Sequence, residues 1–263
     1  MTARAIVVKL GGSVLTGLES YRAQAALLRR RLRAEEGTRV VAVVSAQLGE
    51  TDALLSLARG LAERPDPAAL DLLWSTGEIR SAATLALCLH REGVRAAALD
   101  VQQTGVRRVA GRDGSARLLV DAGPLRRALA DHDVVVVPGF LAAAPDNAVV
   151  SLGRGGSDLS AVAIAAAIGA DRCELLKDVP GYFTADPNHE PAAEHLPAIG
   201  YDRALRMARS GCDLVQEAAL DCARRAGLTL VIRAAHDARQ TILSEEHDAL
   251  RHENDSRRPA LGA

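Results

Sequence analysis

Lysine is almost missing from this chain: of 32 basic residues, only Lys9 and Lys177 are lysines. A skewed genome composition produces such an arginine bias, and it singles out two ammonium groups. A compact charge on a flexible stem suits a phosphate in a tight loop where a planar guanidinium does not fit. Aromatic residues are also scarce, at 2%, so the core has to be aliphatic, built from Ala, Val and Leu. Cys88, Cys173, Cys212 and Cys222 are scattered with no paired metal spacing. They read as small buried residues of a reducing compartment rather than as metal ligands or a disulfide framework. Apolar runs such as Ala161 to Ala170 are too short to span a bilayer. The net charge of −1 points to neither nucleic acid nor membrane as a partner. The N-terminus enters a strand pattern by Ala5 without the shape of a signal peptide, so the expected location is cytoplasmic. No internal repeat is evident.

What is present is a chain of 263 residues, 48% hydrophobic, enough for a sizeable core in one large or two small α/β domains. Short apolar runs, read as buried strands, occur at Ala5 to Leu10, Arg39 to Val44, Val94 to Asp100, Asp133 to Val137, Arg172 to Leu176 and Leu228 to Arg233, with a further one at Thr241 to Leu243. Helical spacing covers Glu19 to Glu36, Thr51 to Leu61, Ala68 to Arg91 (with an interruption near Ser75 to Glu78), Gly123 to Ala130, Leu159 to Ile168, Asp202 to Arg209 and Val215 to Arg225. Val106 to Val120, around Arg112-Asp113-Gly114, reads as a β-hairpin. Strands alternating with helices, several of them apolar on both faces, argue for a mainly parallel sheet covered on both sides, a three-layer αβα sandwich. From Glu245 the chain is polar and aperiodic and reads as a disordered tail.

Four glycine-containing loops follow predicted strands: Lys9 to Ser13, Ser45 to Asp52, Pro138 to Phe140 and Lys177 to Asp186. In an open parallel sheet, ligands bind beyond the carboxyl ends of the strands, so all four belong to one rim. Lys9-Leu10-Gly11-Gly12-Ser13 offers an ammonium and a flexible backbone for a polyphosphate, without the ending of a Walker P-loop. The most informative segment is Gly153-Arg154-Gly155-Gly156-Ser157-Asp158, set between an extended run and an Ala-rich helix. Glycines before a helix start let backbone N–H groups approach an anion, and the helix dipole favours negative charge there. Arg154 can grip a carboxylate bidentately, and Asp158 can hold an ammonium.

These segments resemble the amino acid kinase superfamily and, within it, the catalytic domain of aspartate kinases. The likeness is carried by Lys9-Leu10-Gly11-Gly12-Ser13; Val44-Ser45-Ala46 with Gly49 and Thr51-Asp52; Gly77-Glu78; Gly139-Phe140; Ser151 through Asp158; and Asp178-Val179-Pro180-Gly181 through Ala185-Asp186-Pro187. It covers about residues 4 to 235. The resemblance implies one amino acid kinase domain over 1–244, with a substrate-side lobe over about 1–145 and a nucleotide-side lobe over about 146–244. It implies a biosynthetic transferase using ATP and Mg²⁺ on a small amino acid, in a homodimer formed through a helix and strand of the N-terminal half. Lys9 would lie on the transferred phosphoryl group, with Gly11, Gly12 and Ser13 around the phosphates. Ser45 and Thr51 would meet the substrate, Thr51 at its side-chain carboxylate. Arg154 would hold the α-carboxylate, and Glu78 with Asp158 the α-ammonium, with Ser157 beside them. Asp178 would contact the nucleotide and order the active-site lysines; Gly181, Phe183, Asp186 and Asp213 occupy further nucleotide positions.

The departures are as pointed. Where aspartate kinases read Gly-Ala-Lys-Val-Leu-His-Pro, this chain reads Gly211-Cys212-Asp213-Leu214-Val215-Gln216-Glu217, a charge reversal at Asp213. Lys177 stands where the family has Thr, Phe183 where it has Tyr, and Asn188 where it has Arg. The sequence also ends before the family's paired regulatory domains, which implies an unregulated catalytic unit. Two readings follow: an active kinase of aspartate or a related amino acid, rewired around Lys177, or a catalytically weak relative that binds a ligand or partner. A different small acceptor is a third. Lys177 can reach the phosphates, reach only the ribose, or pair with Asp213.

Overall fold

The structure, a computed structural model, describes residues 4–110 and 116–247. In chain order the elements are β1 (Ala5–Leu10), α1 (Leu18–Ala34), β2 (Arg39–Val44), α2 (Glu50–Leu61), α3 (Pro67–Arg91), β3 (Ala96–Ala98), β4 (Val106–Ala110), β5 (Ala116–Val120), α4 (Gly123–Asp131), β6 (Val134–Pro138), β7 (Leu141–Ala143), β8 (Val149–Ser151), α5 (Gly156–Ile168), β9 (Cys173–Lys177), β10 (Ala198–Ile199), α6 (Tyr201–Arg209), α7 (Glu217–Arg225), β11 (Leu230–Ala234) and β12 (Gln240–Leu243).

Eight strands form one sheet in the order β10-β12-β11-β9-β1-β2-β6-β3. All neighbouring pairs in it are parallel except β11 with β12. The expected mainly parallel α/β sheet is what the chain forms. Side chains alternate between two aliphatic cores, as period two demands. Val7, Val41 and Val135 face α4, α5, α6 and α7. Ile6, Val8, Val40 and Val134 face α1 and α3. Full burial of each such side chain contributes about 1.5–3 kcal/mol, which is how a chain so poor in aromatics fills its interior.

Two features differ from the sequence reading. First, α3 runs unbroken through Ser75 to Glu78. The Ser75 and Thr76 hydroxyls donate to the carbonyls of Leu72 and Leu73, both at 2.7 Å, so these polar side chains are satisfied within the helix. Gly77 is there for space: a Cβ would come within 3.1 Å of the Glu50 carboxyl carbon and 3.2 Å of the Ala46 Cβ. Second, a separate four-stranded sheet, β5-β4-β7-β8, flanks the main one. Its β4–β5 hairpin is antiparallel as expected, although the Arg112-Asp113-Gly114 turn lies outside the described residues. Of the polar tail expected from Glu245, residues 248–263 also lie outside them. Among the described residues no helix is long and apolar enough to cross a membrane.

Candidate active site

The loops after β1, β2, β6 and β9 all leave the same end of the parallel sheet. A cavity of about 450 Å³ opens there, lined by Lys9, Gly12, Ser45, Thr51, Glu78, Arg154, Ser157, Asp158, Lys177 and Asp213 among others. A second, of about 670 Å³, lies between the β9–β10 and α6–α7 loops and is lined by Asp178, Gly181, Phe183, Asp186 and Asp213 among others. Asp213 borders both. Gly11 and Ser13 line neither; a Cβ on Gly11 would lie 3.0 Å from the Lys9 ammonium and 3.8 Å from the Ser13 hydroxyl, so the turn packs against that lysine.

Strand geometry explains the centre of the first cavity. Lys9 follows Val7 on the α5 face of β1, and Lys177 follows Cys173 and Leu175 on the same face of β9. Both ammoniums rise toward the first turn of α5, where Asp158 is buried. Lys9 Nζ lies 2.8 Å from Asp158 Oδ1, and Lys177 Nζ donates to Oδ2 at 2.7 Å. Burial alone would raise the Asp158 pKa; the charges of Lys9 and Lys177 outweigh it and hold the group below the usual carboxylate range. Burial, with Lys9 close by, lowers the Lys177 pKa against the pull of Asp158.

The cluster also places Asp178 and Asp213. The carboxylate paired with both lysines is Asp158, while Asp178 is exposed and acts on Lys177 through its charge alone. Asp158 thus has a lysine at each of its oxygens. Lys177 pairs with Asp158 rather than Asp213, whose carboxylate instead receives the Gln216 amide at 3.5 Å.

Glu78 projects from α3 into the same cavity and is 4% exposed. Burial pushes its carboxyl up to about 8, against the Ala46 N–H and the Lys9 charge, which favour ionisation. Its Oε2 has no hydrogen-bond partner among the described residues, an uncommon state for a buried carboxylate oxygen. Arg154, at the turn into α5, is exposed on the cavity wall with no paired carboxylate among the described residues. The Ser45 hydroxyl donates to Ser157 Oγ at 3.0 Å, joining the β2 loop to the α5 N-terminus. An acceptor acid, an unpaired guanidinium and a helix N-terminus thus face one another across a small cavity.

The second cavity is different. Its lining includes three carboxylates, Asp178, Asp186 and Asp213, and no lysine or arginine. Asp186 spends its oxygens on its own loop, accepting from the Asn188 N–H at 2.9 Å and pairing with His189 at 2.8 Å. Phe183 stacks edge-on with His195, ring centroids 5.3 Å apart, with the Arg239 guanidinium 5.9 Å above its ring. Among the described residues no group of three or more His, Cys, Asp or Glu side chains could hold a metal ion.

Sequence reasoning missed Gln216 and gave Phe140 no site role. Gly155 has φ 74°, and a Cβ there would lie 2.2 Å from Gln216 Cγ, so the Arg154 turn and the start of α7 mesh through that glycine. Phe140 lines the first cavity at φ 64°, a conformation unusual outside glycine, and packs edge-on against Trp74 at 5.9 Å. The Gly139-Phe140 dipeptide after a valine strand was the available signal for the turn.

The fold and this constellation agree with what the chain matches. Residues 4–234 fit the amino acid kinase family, and the chain belongs to that family. Within it, the chain is 39% identical over 242 residues to an aspartokinase of Thermus thermophilus, covering 92% of this chain and 59% of the relative. It is 35% identical over 246 residues to aspartokinase 2 of Bacillus subtilis, covering 93% and 60%. The chain thus spans about three fifths of these relatives. Among solved structures, the aspartate kinase from Synechocystis superposes with a TM-score of 0.80 at 35% identity, over 91% of this chain and 39% of that one. A UMP kinase from Bacillus anthracis shares the fold at 16% identity and a TM-score of 0.67, over 92% and 96%.

Proposed function

We propose that the chain transfers the γ-phosphoryl group of ATP to the side-chain carboxylate of aspartate or a related free amino acid. The observation that carries this reading is the first cavity, where Lys9 and Lys177 converge beside a buried, under-bonded Glu78 and an Arg154 that pairs with no carboxylate among the described residues. One acid and one guanidinium complement a zwitterionic head: Arg154 takes the α-carboxylate and Glu78 the α-ammonium. Thr51, at the start of α2, meets the far carboxylate. Ser45 and Ser157 brace the wall between them. The second cavity takes the nucleotide, with Phe183, Gly181 and Asp178 along it.

In the reaction, a carboxylate oxygen attacks the γ-phosphorus while the bond to the β,γ-bridging oxygen breaks, and ADP leaves with that electron pair. No proton moves, because the nucleophile is already an anion. The work is placement and neutralisation of charge, which Lys9 and the α5 N-terminus supply. Bound with the polyphosphate, Mg²⁺ would supply further neutralisation of charge there, since no group of three or more His, Cys, Asp or Glu among the described residues could hold it alone. We read residues 1–145 as the substrate-side lobe and 146–244 as the nucleotide-side lobe, in a cytoplasmic homodimer.

The test is phosphoryl transfer from ATP with Mg²⁺ to a panel of amino acids, trapping acyl phosphate with hydroxylamine. Aspartate is the expected best acceptor. Preference for an N-acetylated acceptor would overturn the reading, because Glu78 would then face an uncharged amide. Asp213 favours a second reading, a weak relative that binds without turnover; binding of aspartate and ATP with no hydroxamate would establish it.

A further inference from the structure

We propose that Lys177 is a catalytic residue that contacts the transferred phosphoryl group and takes over the charge that aspartate kinases carry at the position of Asp213. The proposal rests on the phosphoryl-transfer reading, and three observations support it.

The first is geometric. Lys9 and Lys177 approach the two oxygens of one carboxylate, at 2.8 and 2.7 Å. Two ammoniums gathered on adjacent oxygens are arranged as a phosphoryl group's equatorial oxygens require. Asp158 keeps them together when no phosphate is present. Lys177 is also well enclosed, its side chain 15% exposed, so its position is fixed before ligand arrives.

The second is position. Lys177 ends β9 in the first cavity, and the next residue, Asp178, opens onto the second. A donor lying in one cavity and an acceptor in the other must meet at this junction.

The third is charge. Among the described residues, the lysines and arginines of the two linings are Lys9, Arg154 and Lys177. Arg154 stands apart at the turn before α5. With Asp213 on the border of both cavities, a polyphosphate finds its second cation only at Lys177. Nor does Lys177 serve to neutralise Asp213, since its partner is Asp158.

The test uses the full chain, with calorimetric affinities for Mg·ATP and Mg·ADP beside turnover. In the wild type ATP is expected to bind more tightly than ADP, because the γ-phosphate meets both lysines. Lys177→Thr, the residue of the family, is expected to erase that preference and to lower kcat about 100- to 1000-fold, the scale for removing one preorganised donor. Adding Asp213→Lys to Lys177→Thr is expected to restore the ATP preference and at least tenfold of kcat. If Lys177→Thr does not fold, Lys177→Gln gives the same reading with a longer neutral side chain. An ATP-to-ADP preference and a kcat both within threefold of wild type in the Thr or Gln variant would overturn the proposal. A wild type that makes no hydroxamate with any carboxylic amino acid would defeat the acceptor assignment alone; the ATP-to-ADP ratio would still decide for or against Lys177.

Discussion

Strand β9 carries a buried ion cluster at each end, and the two have the same charge arithmetic. Near its start, Glu174 is 2% exposed and receives Arg31 from α1 together with Arg172, whose Nε lies 2.8 Å away; Glu35 holds the far side of Arg172 at 2.6 Å. At its end, on the opposite face, Lys177 and Lys9 share Asp158. Arg233 lies 4.0 Å from Glu174 as well, so the first cluster sets three arginines against Glu174 and Glu35, the second sets two lysines against Asp158, and each carries one net positive charge. The cations of the first are arginines, and it faces no described cavity. The second contains the chain's only two lysines and opens onto a cavity. On the proposed function, the comparison separates structure from chemistry: arginine where a charge pair has only to hold elements together, and lysine where the pair is to exchange partners with a ligand.

The contrast breaks most visibly through stability. Glu174→Ala leaves Arg31, Arg172 and Arg233 without their shared buried carboxylate and is expected to cost about 3–5 kcal/mol in urea unfolding, with kcat preserved in the protein that remains folded. Lys9→Ala inverts that outcome. It is expected to lower kcat about 100- to 1000-fold while shifting the urea midpoint less than Glu174→Ala does, since Asp158 retains Lys177. An equal loss of stability in both variants would erase the distinction between the clusters.

Arg154→Ala sharpens the comparison on the ligand side, because this guanidinium pairs with no carboxylate among the described residues. It is expected to raise the amino acid KM by at least about thirtyfold, some 2 kcal/mol, with the Kd for Mg·ATP nearly unchanged. Equal weakening of both ligands would place Arg154 elsewhere.

The effect that is smallest per step, at most about 1.4 kcal/mol for each pH unit, is a pH dependence set by Glu78. Its folded pKa of about 8 lies above the ordinary carboxyl value of 4.5. Between those values the folded protein holds a proton that the unfolded chain has lost. Stability therefore falls as pH rises from about 4.5 toward 8, by at most about 1.4 kcal/mol per pH unit, and flattens above. Substrate affinity runs the other way, because a bound ammonium favours the ionised form: KM is expected to fall up to about tenfold per unit as pH approaches 8. Glu78→Gln should remove both slopes. Persistence of the stability slope in that variant would assign it to another group.

The parts of the molecule that could be read in the sequence are those with local causes. Valine runs at β2 and β6 are apolar on both faces and announce buried parallel strands, and glycine turns after them announce the rim. The second sheet was less legible because β7 and β8 are three residues each, too short for a period to show. The continuity of α3 was hidden because Ser75-Thr76-Gly77 has the composition of a break, while its hydroxyls bond inside the helix and its glycine makes room for Glu50. In the site, the residue types were visible but their pairing was not. Asp158 is as available to an ammonium on a substrate as to one on a lysine until the strands bring Lys9 and Lys177 beneath it. The meshing of Gly155 with Gln216 has no local signal, since only the approach of α7 makes that glycine necessary.

The edge-on contact between Trp74 and Phe140 has an optical consequence. Trp74 is the only tryptophan in the chain. Its partner ring forms part of the first cavity wall. Emission excited through indole therefore originates at a single point one side chain away from that cavity. Occupation of the cavity that displaces the Phe140 ring alters the surroundings of the sole emitter, so the protein carries its own binding signal and its association rates can be followed by stopped flow without a label.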